Sequence, residues 1–246
     1  MAVEYALKKG MHLMKLRIKF KKYGPVRFIG HLDVMRFFQK AIRRADINVA
    51  YSQGFSPHQI MSFAQPLSVG LTSNGEYMDV EVHSIVSCED VKNRINAMSV
   101  HGIEVLSVKV LPENAENAMA SVAAASYTVR FREGREPKLN ITEVLPAFLA
   151  KDNILYNKET KKGIRELDLK QGIYELSYRN NCFHMLVDAS SAGNIKPGQI
   201  IEALLKEYDE ELQENALLIT REDTFLNLGT EDDRKLVPLD EIGMIV

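Results

Sequence analysis

The chain has 246 residues, 46% hydrophobic and 26% charged, with a formal net charge of −2. This is an ordinary globular composition, and the length suffices for one large or two small domains with real cores. Two cysteines far apart, Cys88 and Cys182, exclude a disulfide framework and a paired metal knuckle. No apolar run reaches the roughly 20 residues that span a bilayer, so a cytoplasmic protein with no membrane partner is expected.

Residues 1–13 precede Met14 and are read as a disordered leader outside the fold. From Lys15 to Lys21 the chain alternates with a period of two, placing Leu16, Ile18 and Phe20 on one face and cations on the other. That pattern is a half-buried strand with a basic open face. After Tyr23-Gly24-Pro25 a helix is predicted from Gly30 to near Asp46. Leu32, Met35, Phe38, Ile42 and Ala45 form its core stripe, and Arg36, Lys40, Arg43 and Arg44 its basic side. Val49–Ser52 reads as a short strand and Gly54–His58 as a loop. Met61–Val69 and Tyr77–Val82 read as strands joined by a turn at Thr72–Gly75. Ser87 is placed as the N-cap of a helix from Cys88 to Met98, and Ile103–Leu111 as a further strand. The order is that of a βαββαβ ferredoxin-like unit over residues 14–112.

The small-residue stretch 113–125 reads as a linker. A similar order follows over residues 126–229. Strand Ser126–Phe131 precedes helix Thr142–Leu149, and Lys158–Gly163 sits at a hairpin tip. Ile173–Tyr178 and Cys182–Val187 pair across Arg179–Asn181, Pro197 opens a helix to Tyr208, and Leu217–Arg221 is a last strand. The predicted fold is α+β, two tandem ferredoxin-like units with antiparallel sheets, followed by an acidic tail at 230–246. Charge is segregated along the chain. Ten Lys or Arg stand against two acids between Lys15 and Asp46, and twelve Asp or Glu against three cations in the last forty residues. Such an asymmetry steers an anionic partner to one end of the molecule, or reflects two solvated faces of opposite sign.

The stretch 27–79 concentrates the residues that carry chemistry, in Arg27-Phe28-Ile29-Gly30-His31-Leu32-Asp33, Tyr51-Ser52-Gln53-Gly54-Phe55-Ser56-Pro57-His58 and Pro66–Asp79. These three motifs, in this order, resemble the signature of the radical-SAM-associated (radical-SAM-linked) protein family, over roughly residues 14–227. The resemblance implies a chain that stands beside, or is fused to, a radical SAM protein and has no assigned activity of its own. It does not supply the radical chemistry, because an iron–sulfur centre needs a cysteine cluster that two cysteines cannot make. No cofactor and no metal site are expected.

Three function classes follow. RNA binding would use Arg17, Lys19, Arg27, Arg36, Lys40, Arg43 and Arg44 on phosphates, and Tyr51 and Phe55 for stacking, with Ser52, Gln53 and Ser73 in the same loops. Catalysis would use His31 or His58 as acid or base, with Asp33 or Glu76 orienting it. An accessory role would make the Ser52–His58 loop a recognition element for RNA or for a radical SAM partner. The leading expectation is an RNA-binding or substrate-recognition accessory protein working with a radical SAM enzyme. An RNA-processing enzyme and a protein–protein interaction module are the alternatives.

Overall fold

The computed structural model describes residues 13–160 and 163–246; the expected leader, apart from Leu13, and Lys161 and Lys162 of the expected hairpin tip lie outside the described residues. The chain is mixed α+β, with five α-helices among the described residues, and divides into two compact units. One holds residues up to Val122 together with 223–246, the other Ala123–Glu222.

In the first unit β1 (Met14–Lys22) pairs antiparallel with β4 (Thr72–Ser84) on one side and β5 (Ile103–Val110) on the other. Two short strands, β2 (Asn48–Val49) and β3 (Met61–Phe63), pair with β4. The period of two then decides what each face does. Leu16, Ile18 and Phe20 face the same side as Met78, Val80, Val82, Val105, Val108 and Val110, and all are buried with two helices, α1 (His31–Arg44) and α2 (Cys88–Ala97). The α2 start is as expected, with Ser87 Oγ accepting from the Asp90 N–H at 3.0 Å.

Helix α1 keeps most of its expected stripe, with Phe38, Ile42 and Ala45 buried and Met35 packed against the core; Val34 and Ala41 join them, whereas Leu32 is 59% exposed. Counting at 100° per residue puts Leu32 with Arg36, Lys40 and Arg43 on the outer face. The expected turn at Thr72–Gly75 is also displaced. Gly70 takes the left-handed conformation at φ +89, and Thr72–Gly75 already belongs to β4.

The opposite face of the β5-β1-β4 sheet, expected to be open and basic, is covered by two segments of the same unit. One is 113–121, read from sequence as linker, which contains the short helix α3 (Ala118–Ser121). The other is 236–244, read from sequence as part of an acidic tail. It begins with strand β12 (Leu236–Pro238) and continues through the buried Leu239 and Asp240 to Met244, whose backbone bridges Val110.

In the second unit β6 (Ala124–Phe131) pairs with β10 (Cys182–Asp188), and β10 with β9 (Ile173–Arg179), all antiparallel. Asn180 and Asn181 both adopt positive φ in the two-residue turn, which is why an Asn-Asn pair suits it. Helices α4 (Ile141–Leu149) and α5 (Pro197–Glu207) bury Leu145, Phe148, Ile200, Ile201, Leu204 and Leu205, with Pro197 in the first turn of α5 where no N–H is needed. A hairpin of β7 (Leu155–Thr160) and β8 (Gly163–Asp168) forms a sheet of its own. Strand β11 (Leu217–Asn227) begins in this unit and ends in the first, where it pairs with β12.

Candidate functional site

Arg17 and Lys19, expected to contact a ligand from the open sheet face, are instead committed within the fold. Arg17 is 0% exposed and lies directly across from Asp79 in the β1–β4 register. Its Nε and Nη2 donate to the two Asp79 oxygens at 2.8 and 3.0 Å, Nη1 to the Leu239 carbonyl at 2.8 Å and Nη2 also to the Glu116 carbonyl at 3.0 Å. Asp79 takes a further bond from the Ala118 N–H at 2.7 Å. A bidentate guanidinium–carboxylate pair with its remaining capacity met by backbone is a structural clamp. Asp79, the last residue of the third motif, therefore belongs to the scaffold. Lys19 Nζ sits 2.6 Å from Asp223 Oδ2 and 5.3 Å from the centre of the Tyr77 ring. The Tyr77 hydroxyl donates to Asp223 Oδ1 at 2.6 Å, with Asp240 Oδ1 at 3.4 Å. Burial first, and then these two carboxylates, push the Tyr77 pKa upward, so the phenol stays a donor.

The four catalytic candidates do not form one constellation. His58 lies in an exposed loop with its Nδ1 2.8 Å from Ser52 Oγ, and Ser52 Oγ also accepts from the His58 N–H at 3.1 Å. No carboxylate is bonded to His58 among the described residues, so the Ser-His pair lacks the third group that would orient it. The pair closes the loop, together with the Ser52 N–H to His58 carbonyl bond at 2.8 Å. Asp33 is exposed and bonded to Arg36 Nη1 at 3.3 Å, one helical turn away.

His31 and Glu76 do share surroundings. His31 is the first residue of α1, edge-on to Phe63 at 5.1 Å, and lines a small cavity together with Lys22, Gln65 and the buried Glu76. Lys22 was not singled out from sequence, yet the signal was present. It falls on the Leu16-Ile18-Phe20 face of β1, and Glu76 on the Met78-Val80-Val82 face of β4. A lysine and a glutamate at core positions of neighbouring strands are expected to sit together. Lys22 is 2% exposed and its Nζ donates to the Ile29 carbonyl at 2.9 Å. Desolvation lowers its pKa, and the Glu76 charge offsets part of that. The cavity measures about 20 Å³, room for about one water and none for a substrate.

The lowered Lys22 pKa makes a pH prediction. Because the folded-state value lies below the 10.5 of the unfolded chain, the unfolded chain binds more protons in that window, and stability rises as pH climbs toward 10.5. Lys22→Met should lose this rise, so urea titrations at a series of alkaline pH values should show wild type gaining on the variant. Parallel curves would contradict the assignment.

The outer face of α1 presents a different arrangement. Arg36, Lys40, Arg43 and Arg44 are all exposed, and the last three make no ion pair among the described residues. The Ser52–His58 loop is tied to the same helix through Gln59, whose Nε2 donates to the Gln39 carbonyl at 3.1 Å. At its tip, beside Gln53, Phe55 is 112% exposed, and Tyr51 at its base is half exposed. Arg27 is half-buried with its guanidinium 4.7 Å above the Phe28 ring, and Ser73 is buried, accepting from the Gly75 N–H at 3.2 Å. Both therefore shape the loops. Among the described residues no three His, Cys, Asp or Glu side chains gather as a metal site, and no helix is long and apolar enough to cross a membrane.

Fold and site together define an α+β protein with a cationic helix face flanked by an exposed aromatic loop. A family model described as an uncharacterised protein conserved in bacteria (DUF2344) matches residues 15–197, and the chain belongs to that family. The description carries no activity and no link to radical SAM chemistry. A search of curated proteins returns no match.

Proposed function

We propose that the protein is an RNA-binding accessory protein whose footprint is the outer face of α1 with the Ser52–His58 loop, working in the cytoplasm beside a radical SAM enzyme. The observation that carries the reading is Phe55. An aromatic ring held fully in solvent, on a loop closed by its own hydrogen bonds, loses hydration free energy for no internal gain. Its use is expected to be external, and the neighbouring exposed cations match the chemistry of a single strand, where rings stack on bases and cations meet phosphates. The sequence motifs that resemble the radical-SAM-linked family support the choice of partner, and both units are read as ferredoxin-like. The first has the strand order β5-β1-β4 with β2 and β3 beyond, and the second β6-β10-β9 with α4 and α5 as crossovers.

Binding is favoured over catalysis because the His31 cavity has space for a water molecule only. Phe55→Ala is expected to weaken binding of a single-stranded RNA by about 1–3 kcal/mol while leaving the slope of log affinity against log salt unchanged, since stacking releases no counterions. Fluorescence anisotropy at several salt concentrations reads both quantities. Equal affinity for the two proteins would remove Phe55 from the footprint.

A further inference from the structure

The second unit contains a cavity of about 270 Å³ lined in part by Phe131 at the end of β6, Tyr178 in β9, Asn181 in the β9–β10 turn, and Glu136 and Thr142 around the start of α4. The two rings are held from within the core. Both pack on the buried Phe183, with centroids 6.3 Å and 4.7 Å from its own. The polar groups around them are not used by the fold. The Tyr178 and Thr142 hydroxyls, the Asn181 amide and the Glu136 carboxylate make no hydrogen bond or ion pair among the described residues. Burial, then Cys182 and Glu136, raise the Tyr178 pKa and keep its hydroxyl protonated.

The chemistry of this lining selects a ligand class. It contains one carboxylate and no Lys or Arg, which disfavours a phosphate or carboxylate ligand. The backbone N–H groups at the start of α4 offer no anion site either. The Thr142 N–H is taken by Asn140 Oδ1, and those of Lys138 and Leu139 by the Glu210 carboxylate. A purely apolar ligand would strip water from four polar groups and give nothing back. The volume lies just under the range for drug-sized ligands, which leaves room for a single small ring system.

We infer that this cavity binds a nucleobase carrying an exocyclic amino group, its ring against Phe131 and Tyr178 and its amino group donating to Glu136. A carboxylate accepting from an exocyclic amine is an established base-reading contact, and aromatic rings supply the sequence-tolerant part of the affinity. The choice of a nucleobase among planar heterocycles rests on the RNA reading above; the pairing of rings with a carboxylate does not.

The test is a titration of the full chain with adenosine, cytidine, guanosine and uridine, each alone, followed through the amide NMR signals of Thr142 and Asn181. The amino-bearing nucleosides are expected to shift these signals saturably, with uridine at least about tenfold weaker. Glu136 is exposed, so Glu136→Ala should fold normally, and it should remove most of that discrimination. Uridine binding as well as the others, or no shift with any nucleoside, would overturn the inference. The Arg36→Glu, Lys40→Glu, Arg43→Glu variant separates the two readings because its changes lie in the other unit. Nucleoside binding kept by a protein that never binds RNA through α1 would sink the first reading alone, and RNA binding without nucleoside shifts would sink this one alone.

Discussion

Replacing Arg17 with alanine is expected to cost about 3–5 kcal/mol of unfolding free energy, the range for removing one partner of a buried ion pair. The size follows from what remains behind. Asp79 is 4% exposed and would keep a single bond, from the Ala118 N–H, while the Leu239 carbonyl would lose its donor and the Glu116 carbonyl would keep only the 3.4 Å bond from Ser121 Oγ. An unpaired buried carboxylate either stays charged at a large desolvation cost or takes up a proton at neutral pH. Arg17→Met combined with Asp79→Leu should recover part of the loss, since an apolar pair removes both charges together. Recovery will be incomplete because the Leu239 carbonyl and the Ala118 N–H have no replacement partners. Urea unfolding read by circular dichroism checks this: the midpoint of the single variant should fall markedly with the slope unchanged. A loss below about 1 kcal/mol would mean that water, not the clamp, satisfies these groups.

Reversing three charges on the outer face of α1, in Arg36→Glu, Lys40→Glu and Arg43→Glu, is expected to reduce affinity for single-stranded RNA by about a hundredfold or more. In water a charge pair at 4 Å is worth about 1 kcal/mol, and reversal turns attraction into repulsion, roughly 2 kcal/mol per site. Half of the resulting sum survives even substantial screening, about 3 kcal/mol, or two factors of ten. The slope against log salt should also become shallower by about 2, since each phosphate contact on a single strand contributes about 0.7. Folding should be unaffected, as all three side chains are exposed and only Arg36 has an ion-pair partner among the described residues, in Asp33. Filter binding across a salt series measures affinity and slope together, and unchanged values would remove α1 from the interface.

Much of the first unit was legible in the sequence because its signals are periodic. The alternation in β1 and the Ser87 cap translate directly into backbone. What the sequence left hidden depends on contacts between distant segments. Nothing local to Arg17 says that residues 113–121 and 236–240 will cover it, so a strand with four alternating cations reads as a basic surface when two of them are neutralised by Asp79 and Asp223. Leu32 was misplaced for a related reason, while Phe38, Ile42 and Ala45 of the expected stripe are buried. Leu32 and Met35 are apolar and fit a helical stripe, but the helix turns Val34 and Phe38 toward Phe20 and Phe63, leaving Leu32 outside. Gly75 looked like a turn glycine beside Asn74, yet Gly70 carries the positive φ. At the site, the exposure of Phe55 was an open question in sequence, since a Gly-flanked aromatic fits a core plug as well as a recognition tip. Lys22 and Glu76 carry the parity of core positions but lie one residue outside the strands as read, and the aromatic cavity of the second unit was not legible because it brings together two stretches, 131–142 and 178–181, that are far apart in sequence.

The most direct test of the RNA reading is crosslinking of the protein to RNA in its own cells, followed by sequencing of what is recovered, with the Arg36→Glu, Lys40→Glu, Arg43→Glu variant in parallel. A discrete RNA enriched by wild type and lost by the variant is the predicted result. Equal background recovery from both would contradict the account and turn the exposed Phe55 and the cationic face of α1 toward a protein partner instead.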